Sequence, residues 1–202
     1  MSDTAAPLQR KRPKPGERRV QILQALASML EQPGAERITT SALAAKLEVS
    51  EAALYRHFAS KAQMFEGLIE FIEQSVFTLV NQIIEREDVH DVRVRKLVIM
   101  VLQFAEKNPG MTRVMAGDAL VFENERLQAR MNQFFDKLET TIKQSLREAA
   151  ALDNAAGPTV DAQVRASVVT AFMIGRLQRF SRSGFKRLPS EHLEASLALV
   201  LR

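Results

Sequence analysis

Cysteine is absent from the 202 residues of the chain, which excludes disulfide bonds and thiolate metal sites and fits a reducing cytoplasm. The basic N-terminus is not followed by the apolar run that a signal peptide needs, and no uncharged stretch of about 20 apolar residues is present to cross a membrane. The basic residues also do not form a strongly amphipathic helix with aromatic residues, as a membrane-surface helix requires. These absences predict a cytoplasmic protein with no membrane partner.

The sequence motifs of enzymes and metal sites are missing as well. His90 lies in an acidic turn and His192 follows Glu191, but neither has the spacing that puts two metal ligands on one face of a helix. No glycine-rich phosphate loop and no nucleophile elbow is present. We therefore expect no catalytic residue, no bound metal and no cofactor, and we predict that the protein is not an enzyme.

Positive charge is concentrated in the first third of the chain. Residues 1–64 carry ten basic and six acidic side chains, whereas residues 65–202 carry 18 of each, so the whole net charge of +4 lies in the first third. This asymmetry indicates that the first third faces a polyanion. Residues 1–16 combine cations with three prolines and have almost nothing to bury, so we interpret them as a flexible basic arm. The arm either follows a nucleic-acid backbone or minor groove, or only aids solubility.

Apolar residues after the arm repeat at helical spacing, and no strand of useful length is found. The first helix is marked by Leu23, Leu26, Ala27 and Leu30, which follow the i, i+3, i+4, i+7 pattern of one helix face. Similar patterns continue to the end of the chain and predict an all-α fold of about nine helices. We expect a small domain over residues 17–61 and a larger helical domain over residues 62–202.

Capping residues and helix breakers predict the boundaries of these helices. The expected N-caps of helices two, three and four are Thr40, Ser50 and Ser60, the last of which forms a capping box with Gln63. The other expected boundaries are a break at Pro33-Gly34, the end of helix four near Arg86, the end of helix five at Asn108-Pro109-Gly110, a short helix from Thr112 to about Ala119, a long helix from about Glu123 to Ala151, a loop over 153–158, a helix near 162–183 and a last helix through Leu193 and Val200.

Residues 38–58 have the organisation of a helix-turn-helix, because two short helices with narrow apolar faces are joined by three or four residues. In such a unit the second helix lies in the DNA major groove, and the first helix crosses the backbone. Small side chains are needed where the second helix enters a groove about 12 Å wide. The residues expected to contact DNA are Thr39, Thr40, Lys46, Ser50, Glu51, Ala52, Ala53, Tyr55, His57 and Lys61.

The expected DNA contacts differ in chemistry. Tyr55 and His57 point away from the inward pair Leu54 and Phe58, so their hydroxyl and ring N–H groups are available to phosphates or base edges. The charge of Lys61 and the amides at the start of helix four together favour a phosphate. Each of these residues can instead be an ordinary cap or a solvated surface group. No asparagine or glutamine lies on the second helix, so we expect phosphate contacts and DNA shape to matter as much as direct base readout.

The segment from Thr39 to Lys61, which ends in the run LYRHFASK and leads into a long fourth helix, resembles the TetR family of regulators over some 45 residues. The resemblance implies a TetR-like fold, with an N-terminal three-helix helix-turn-helix domain followed by a C-terminal helical domain. In that family the C-terminal domain forms a homodimer and receives a second signal. The implied partner of the N-terminal domain is double-stranded DNA.

The larger domain is similar to a branch of that family, the nucleoid occlusion factors. The similarity lies in the runs LIEFIE at 68–73, EKNPGMTR at 106–113 and FENERLQ at 122–128. It implies a nucleoid-associated protein that, when bound to DNA, binds the C-terminal tail of the tubulin-like division protein FtsZ. Binding would disrupt FtsZ filaments and block division-ring assembly over unsegregated chromosome.

In this branch the FtsZ tail lies between helices four and five, and the matching residues here are Phe71, Met100, Lys107 and Asn108. Phe71 is implied as the apolar anchor of the groove, although it can equally be part of the core. Lys107 would pair with a carboxylate of the tail. Asn108 would either bond the tail backbone or cap the end of helix five.

The helix near 162–183 contains the pair Ala171 and Gly175 at i, i+4, which allows close packing against a partner helix or within the chain. We expect this helix and the last helix of each copy to form a two-fold, four-helix dimer interface. Arg176, Arg179 and Arg182 form a basic edge that we interpret as solvated. A dimer would set two recognition helices about 34–36 Å apart and bind a palindromic site.

The alternative function is a ligand-responsive transcriptional repressor with the same DNA-binding domain. Such a receptor needs a roomy apolar pocket with a few convergent polar groups. The chain has Met100, Met111, Met115 and eleven phenylalanines, but such residues at helical spacing usually indicate packing. A filled core would argue against the receptor.

Overall fold

The computed structural model describes residues 16–32, 37–152 and 158–201. The described residues form nine α-helices and one 3₁₀ turn and contain no strand, so the all-α prediction is confirmed. The expected break at Pro33-Gly34, residues 153–157 of the expected loop and the arm, apart from Gly16, lie outside the described residues. Pro158, the last residue of that expected loop, is instead the first residue of α8. In chain order the elements are α1 (Glu17–Leu30), α2 (Thr40–Lys46), α3 (Glu51–Tyr55), α4 (Lys61–Arg86), α5 (His90–Lys107), α6 (Pro109–Met115), the 3₁₀ turn (Asp118–Leu120), α7 (Glu125–Leu152), α8 (Pro158–Arg182) and α9 (Leu193–Val200).

The N-cap of α2 is Thr39, so the expectation that Thr40 caps this helix is wrong. Thr39 has the extended backbone that an N-cap requires, and its hydroxyl accepts the amide of Ala42 at 3.2 Å. Thr40 is already the first helical residue. Two adjacent threonines offer the same cap chemistry, and the backbone conformation decides which of them is used.

The caps of α3 and α4 are those that the sequence predicts. The Ser50 hydroxyl accepts the amide of Ala53 at 3.2 Å, and the Ser60 hydroxyl accepts the amide of Gln63 at 3.2 Å. The Gln63 side chain completes a variant of the capping box, because its oxygen accepts the amide of Ala59 at 2.9 Å. These short bonds fix the recognition helix α3 between two tight turns.

The short helix after α5 begins three residues earlier than expected. Pro109 starts α6 because a proline at the first helical position loses no intrahelical hydrogen bond. Ala119, expected in the same helix, belongs to the 3₁₀ turn that follows Gly117. The long helix α7 starts at Glu125 rather than at Glu123.

Neighbouring helices of the larger domain alternate in direction, and side-chain contacts show which ends meet. The start of α4 meets the turn before α7 through the ion pair Lys61–Glu123. The end of α8 meets the 3₁₀ turn, because the Ser181 hydroxyl donates to Asp118 at 2.7 Å. We call the end of the molecule that contains Lys61, Asp118 and the end of α8 the recognition end, since α3 lies there too. The opposite end contains the start of α5 and the end of α7, joined by Arg93 and Glu148 at 2.8 Å.

One continuous buried cluster runs through both domains, from Ile22 of α1 to Leu197 of α9. Its centre is filled by large side chains: Phe134 packs edge-to-face on Phe77 and on Phe135, with ring centroids 5.6 Å and 5.1 Å apart. Met115 is buried in this cluster, as packing would predict. Among the described residues, no helix is long and apolar enough to cross a membrane.

Candidate nucleic-acid interface and peptide groove

The recognition helix α3 buries one edge and exposes the other. Leu54 and Phe58 are buried against the core, whereas Tyr55 is 45% exposed. Glu51, Ala52 and His57 are also exposed and Ala53 is half-buried. The exposed edge therefore carries the small and polar side chains that the sequence analysis assigned to the major groove.

Several of the expected DNA contacts already hold hydrogen bonds within the domain. The Thr40 hydroxyl donates to Glu51 at 2.6 Å, and the Lys46 ammonium donates to Ser28 of α1 at 3.1 Å. Thr39 and Ser50 use an oxygen lone pair in capping, which leaves the hydroxyl proton of Ser50 for a phosphate oxygen, while the Thr39 hydroxyl also lies 3.4 Å from that of Ser41. These bonds orient the side chains of α2 and α3 before any DNA is bound.

Lys61 lies at the start of α4 as expected, but its ammonium is engaged. It forms an ion pair with Glu123, whose side chain is only 9% exposed. The same ammonium lies 5.7 Å from the centre of the Phe65 ring. A phosphate at this helix start therefore has to share Lys61 with a carboxylate of the larger domain.

Arg19 was missed by the sequence analysis, although it joins α1 to the end of the recognition segment. Its guanidinium donates to the carbonyl oxygen of His57 at 2.9 Å and lies 4.0 Å from the centre of the Phe58 ring. Cation–π stacking of this kind connects distant parts of the chain, and no local pattern reveals it. The carbonyl of His57 is thereby fixed while its ring stays exposed.

Two hollows lie at opposite ends of the α4–α5 seam, the region where the resemblance implies a groove. The first, which we call the α1 hollow, has a volume of about 350 Å³ and is lined by Phe71, Asn108, Leu68, Met111 and residues of α1 that include Val20, Leu23, Gln24 and Ser28. The second, which we call the α5 hollow, has a volume of about 180 Å³ and is lined by Met100, Leu79, Ile83 and Lys96, among others. Phe71 and Asn108 are thus brought together, while Met100 lies in the other hollow.

The four expected groove residues have different surroundings. Phe71 is 46% exposed, so it is not part of the core. Met100 is half-buried and Lys107 is exposed at the last turn of α5. The side-chain amide of Asn108 donates to the carbonyl oxygen of Phe104 at 2.8 Å and so ties down the end of α5. The third wall of the α1 hollow, supplied by α1, was not foreseen.

The part of the chain described by the structure holds no group of three or more histidine, cysteine, aspartate or glutamate side chains that could bind a metal ion. The ionisable groups between α4 and α7 are arranged as ion pairs, such as Arg130 with Glu73 at 2.6 Å. The hydrogen bond that the Arg130 guanidinium donates to Glu73, with smaller contributions from nearby carboxylates, raises the pKa of Arg130 above its ordinary value.

Family models match both domains of the chain. Residues 22–68 match the model of bacterial regulatory proteins of the tetR family, and residues 89–202 match the SlmA-like model described as a tetracyclin repressor-like C-terminal domain. The nucleoid occlusion factor SlmA of Idiomarina loihiensis is 51% identical over 178 residues, which cover 88% of this chain and 90% of that protein. The SlmA of Vibrio cholerae is 50% identical over 184 residues, covering 91% and 93% of the two chains. The chain belongs to the SlmA family.

Solved structures support the same fold at much lower sequence identity. The fatty acid degradation regulator FadR of Bacillus halodurans has a TM-score of 0.74 and 16% identity, over 94% of this chain and 97% of that one. AibR, solved with isovaleryl coenzyme A and operator DNA, has a TM-score of 0.70 and 14% identity, over 90% and 97%. SlmA membership and the TetR-like fold identify the chain as a DNA-binding regulator rather than an enzyme, as the sequence predicts.

Proposed function

We propose that the protein is a sequence-specific, dimeric nucleoid occlusion factor of the cytoplasm and nucleoid. When bound to a palindromic DNA site, it binds the C-terminal tail of FtsZ and blocks division-ring assembly over the chromosome. The observation that carries the second half of this proposal is the exposed Phe71, which lies in a hollow together with Asn108. That hollow is walled by α1 of the DNA-binding domain.

The DNA contacts are made by the exposed edge of α3 and by the polar residues around it. Ala52 and Ala53 allow close approach, while Tyr55 and His57 reach phosphates or base edges. The excess positive charge of the first third of the chain supplies the non-specific part of the affinity, which depends on salt because counterions are released from the duplex.

The tail lies in an extended form along the α4–α5 seam. Phe71 and Leu79 are eight residues apart on α4, which at about 1.5 Å per helical residue places the two hollows about 12 Å apart. An extended peptide covers that span with about four residues. Apolar side chains of the tail enter the two hollows, and Lys107 pairs with a carboxylate of the tail.

DNA binding strengthens tail binding because both sites use the same structural elements. Lys46 donates to Ser28, and Ser28 also lines the α1 hollow. A DNA phosphate that draws Lys46 away from Ser28 changes the polar rim of the hollow. A phosphate bound at Lys61 similarly changes the contacts of the first turn of α4. Phe71 lies further along the same helix.

The decisive experiment is light scattering of FtsZ polymerisation with this protein, with and without a palindromic duplex selected from a random library. We expect inhibition that becomes stronger when the duplex is present. If FtsZ polymerises normally although the duplex binds tightly, the proposal of nucleoid occlusion fails. The protein would then be the ligand-responsive repressor that the sequence analysis kept as the alternative.

The variant Phe71→Ala tests the site within that assay. Because Phe71 is exposed, its loss should leave the fold and duplex binding intact, while FtsZ-tail affinity falls by about 30-fold, as is typical for an aromatic hot spot worth about 2 kcal/mol. Tail affinity is measured by fluorescence anisotropy of a labelled tail peptide. The matched control is Val92→Ala, which also removes an exposed apolar side chain and lines neither hollow. Loss of duplex binding together with tail binding would mean that Phe71 supports the fold.

A further inference from the structure

The corner that follows α8 carries a concentration of exposed positive charge in the larger domain. Residues 179–191 contain four basic side chains and one acidic one, a net charge of +3, although residues 65–202 as a whole are neutral. Arg179, Arg182, Lys186 and Arg187 are all exposed. We call these four residues the α8 corner.

The α8 corner lies at the recognition end of the molecule. Ser181 donates to Asp118 at 2.7 Å, and the Arg182 guanidinium lies 3.8 Å from the same carboxylate. Five residues further along the chain, Glu123 is paired with Lys61. Lys61 in turn follows the recognition helix by a short turn. Short contacts therefore connect the basic corner to the helix-turn-helix.

The backbone of the corner is held in one unusual conformation. Gly184 and Phe185 both have left-handed backbone angles, with φ of 62° and 65°, and a phenylalanine adopts such angles only where its surroundings hold it there. The Phe185 ring packs on Phe180 at 5.1 Å between centroids and lies 5.1 Å from the Arg113 guanidinium.

A serine completes this turn. The Ser183 hydroxyl accepts the amides of Lys186 and Arg187 at 3.1 Å and 2.9 Å. Both cationic side chains are thereby projected outward from a fixed turn, rather than from a loose loop. A fixed cationic surface loses less conformational entropy when it binds an anion.

The arginines of the corner also continue the exposed apolar stripe of α8. Val160, Val164 and Val168 are 73%, 57% and 49% exposed. From Val168 the same helix face continues at spacings of three or four residues through positions 171 and 175 to Arg179 and Arg182. If the two-fold axis runs lengthwise from the recognition end to the opposite end, packing through this stripe places the corners of both copies at the recognition end, on either side of the axis. Their like charges repel one another unless an anion lies between them.

We propose that the α8 corner is a second DNA-contacting surface, which binds backbone phosphates in the segment between the two half-sites of the palindrome. This inference rests on the proposed binding of a duplex by a dimer. The added element is a set of phosphate contacts made by the larger domain. These contacts lie near the centre of the DNA site, where no recognition helix lies. Such contacts raise affinity without reading the base sequence.

The test is the salt dependence of duplex binding by the dimer, measured by fluorescence anisotropy for the full chain and for the variant Lys186→Gln/Arg187→Gln. The plot of log affinity against log salt should become shallower by about 0.9 for each lost phosphate contact, and so by up to about 3.6 for two copies of two residues. Discrimination between the selected site and a scrambled one should not change. Methylphosphonate linkages at the centre of the duplex, which carry no charge, should weaken the wild type but not the variant.

The control Lys137→Gln/Arg147→Gln removes one exposed lysine and one exposed arginine from α7, away from the recognition end. If its salt dependence matches that of the corner variant, only net charge matters and the inference is overturned, while DNA binding itself stands. Corner-dependent binding to phosphatidylglycerol vesicles with an unchanged duplex slope would overturn it in favour of a membrane surface. If the wild type binds no duplex, the inference and the proposed function both fail.

Discussion

Gly110 occupies the point where α6 meets α1, and no space for a side chain exists there. A β-carbon built at this position would overlap the carbonyl oxygen of Ala27 and lie 2.8 Å from its carbonyl carbon. The obstacle is backbone rather than a movable side chain, so it cannot rotate away. This contact fixes α1, and with it one wall of the α1 hollow, against the larger domain.

We expect Gly110→Ala to destabilise the protein by at least about 2 kcal/mol, in the upper part of the range for overpacking a close contact. The midpoint of urea denaturation, followed by circular dichroism, measures this loss. Where the variant still folds, α6 must move away from α1, so affinity for the FtsZ tail should fall as well. An unchanged midpoint would mean that the two helices are not held as closely as the structure shows.

Single residues show where sequence reasoning succeeds and where it ends. The exposure of Tyr55 and the burial of Leu54 follow from helical spacing, which is a local property that the sequence reveals. The partner of Lys61 is Glu123, which lies 62 residues away, and no periodic pattern connects them. The exposure of Phe71 also depends on how α1, α4 and α6 meet, so the sequence left it open whether this side chain is core or groove.

At the scale of helices, the starts of α3 and α4 were predictable because a cap is formed by neighbours within three residues. The start of α6 was not, because Pro109 was interpreted as a helix breaker although proline also begins helices. The resemblance implied a groove between α4 and α5. The placement of Phe71 and Met100 in two separate hollows, one of them walled by α1, depends on tertiary packing.

The end of α7 is held against the start of α5 by a cluster of polar side chains. Glu148 accepts hydrogen bonds from the Gln144 amide at 2.9 Å and from the Arg93 guanidinium at 2.8 Å, and His90 Nδ1 lies 3.1 Å away. These bonds, the one from Gln144 first, lower the pKa of Glu148 and outweigh the opposing effect of partial burial. The cluster therefore joins the two helices through an ionised carboxylate.

A lowered carboxyl pKa makes the protein less stable in acid. Glu148 binds a proton more readily in the unfolded chain than in the folded one, so its contribution is present above the unfolded pKa of about 4.3 and is lost as pH falls through the lower folded value. We expect Glu148→Gln to lower Tm at neutral pH and to make the decline of Tm below about pH 4.5 shallower. Thermal scans from pH 7 to pH 3 measure both effects.

The matched control for this experiment is Glu125→Gln, which removes an exposed carboxylate from the first turn of the same helix. Its acid dependence should follow that of the wild type. If Glu148→Gln also follows the wild type, the cluster does not stabilise the ionised form and the two helices are held by apolar packing alone.

At the scale of the whole molecule, an exposed apolar stripe on α8 has no cover within the described protomer. Val160, Val164 and Val168 repeat every four residues, and the stripe continues through Ala171 and Gly175, both exposed. Leu199 of α9 is exposed as well, to 70%. A self-complementary face of this kind fits the two-fold, four-helix interface that the sequence predicts, and a palindromic DNA site requires the same symmetry.

Val168→Glu tests this arrangement, because a two-fold axis near the stripe would bring two buried carboxylates close together in the dimer. We expect a folded monomer in analytical ultracentrifugation. Its duplex affinity should fall by about 100-fold or more, since each half-site is then bound without the high effective concentration that the second recognition helix has in a dimer. The control Val92→Glu places the same charge at an exposed valine of α5 and should leave both the dimer and duplex binding unchanged. A dimeric Val168→Glu variant with normal duplex affinity would exclude this face as the interface, and it would also remove the corners of the two copies from the centre of the site.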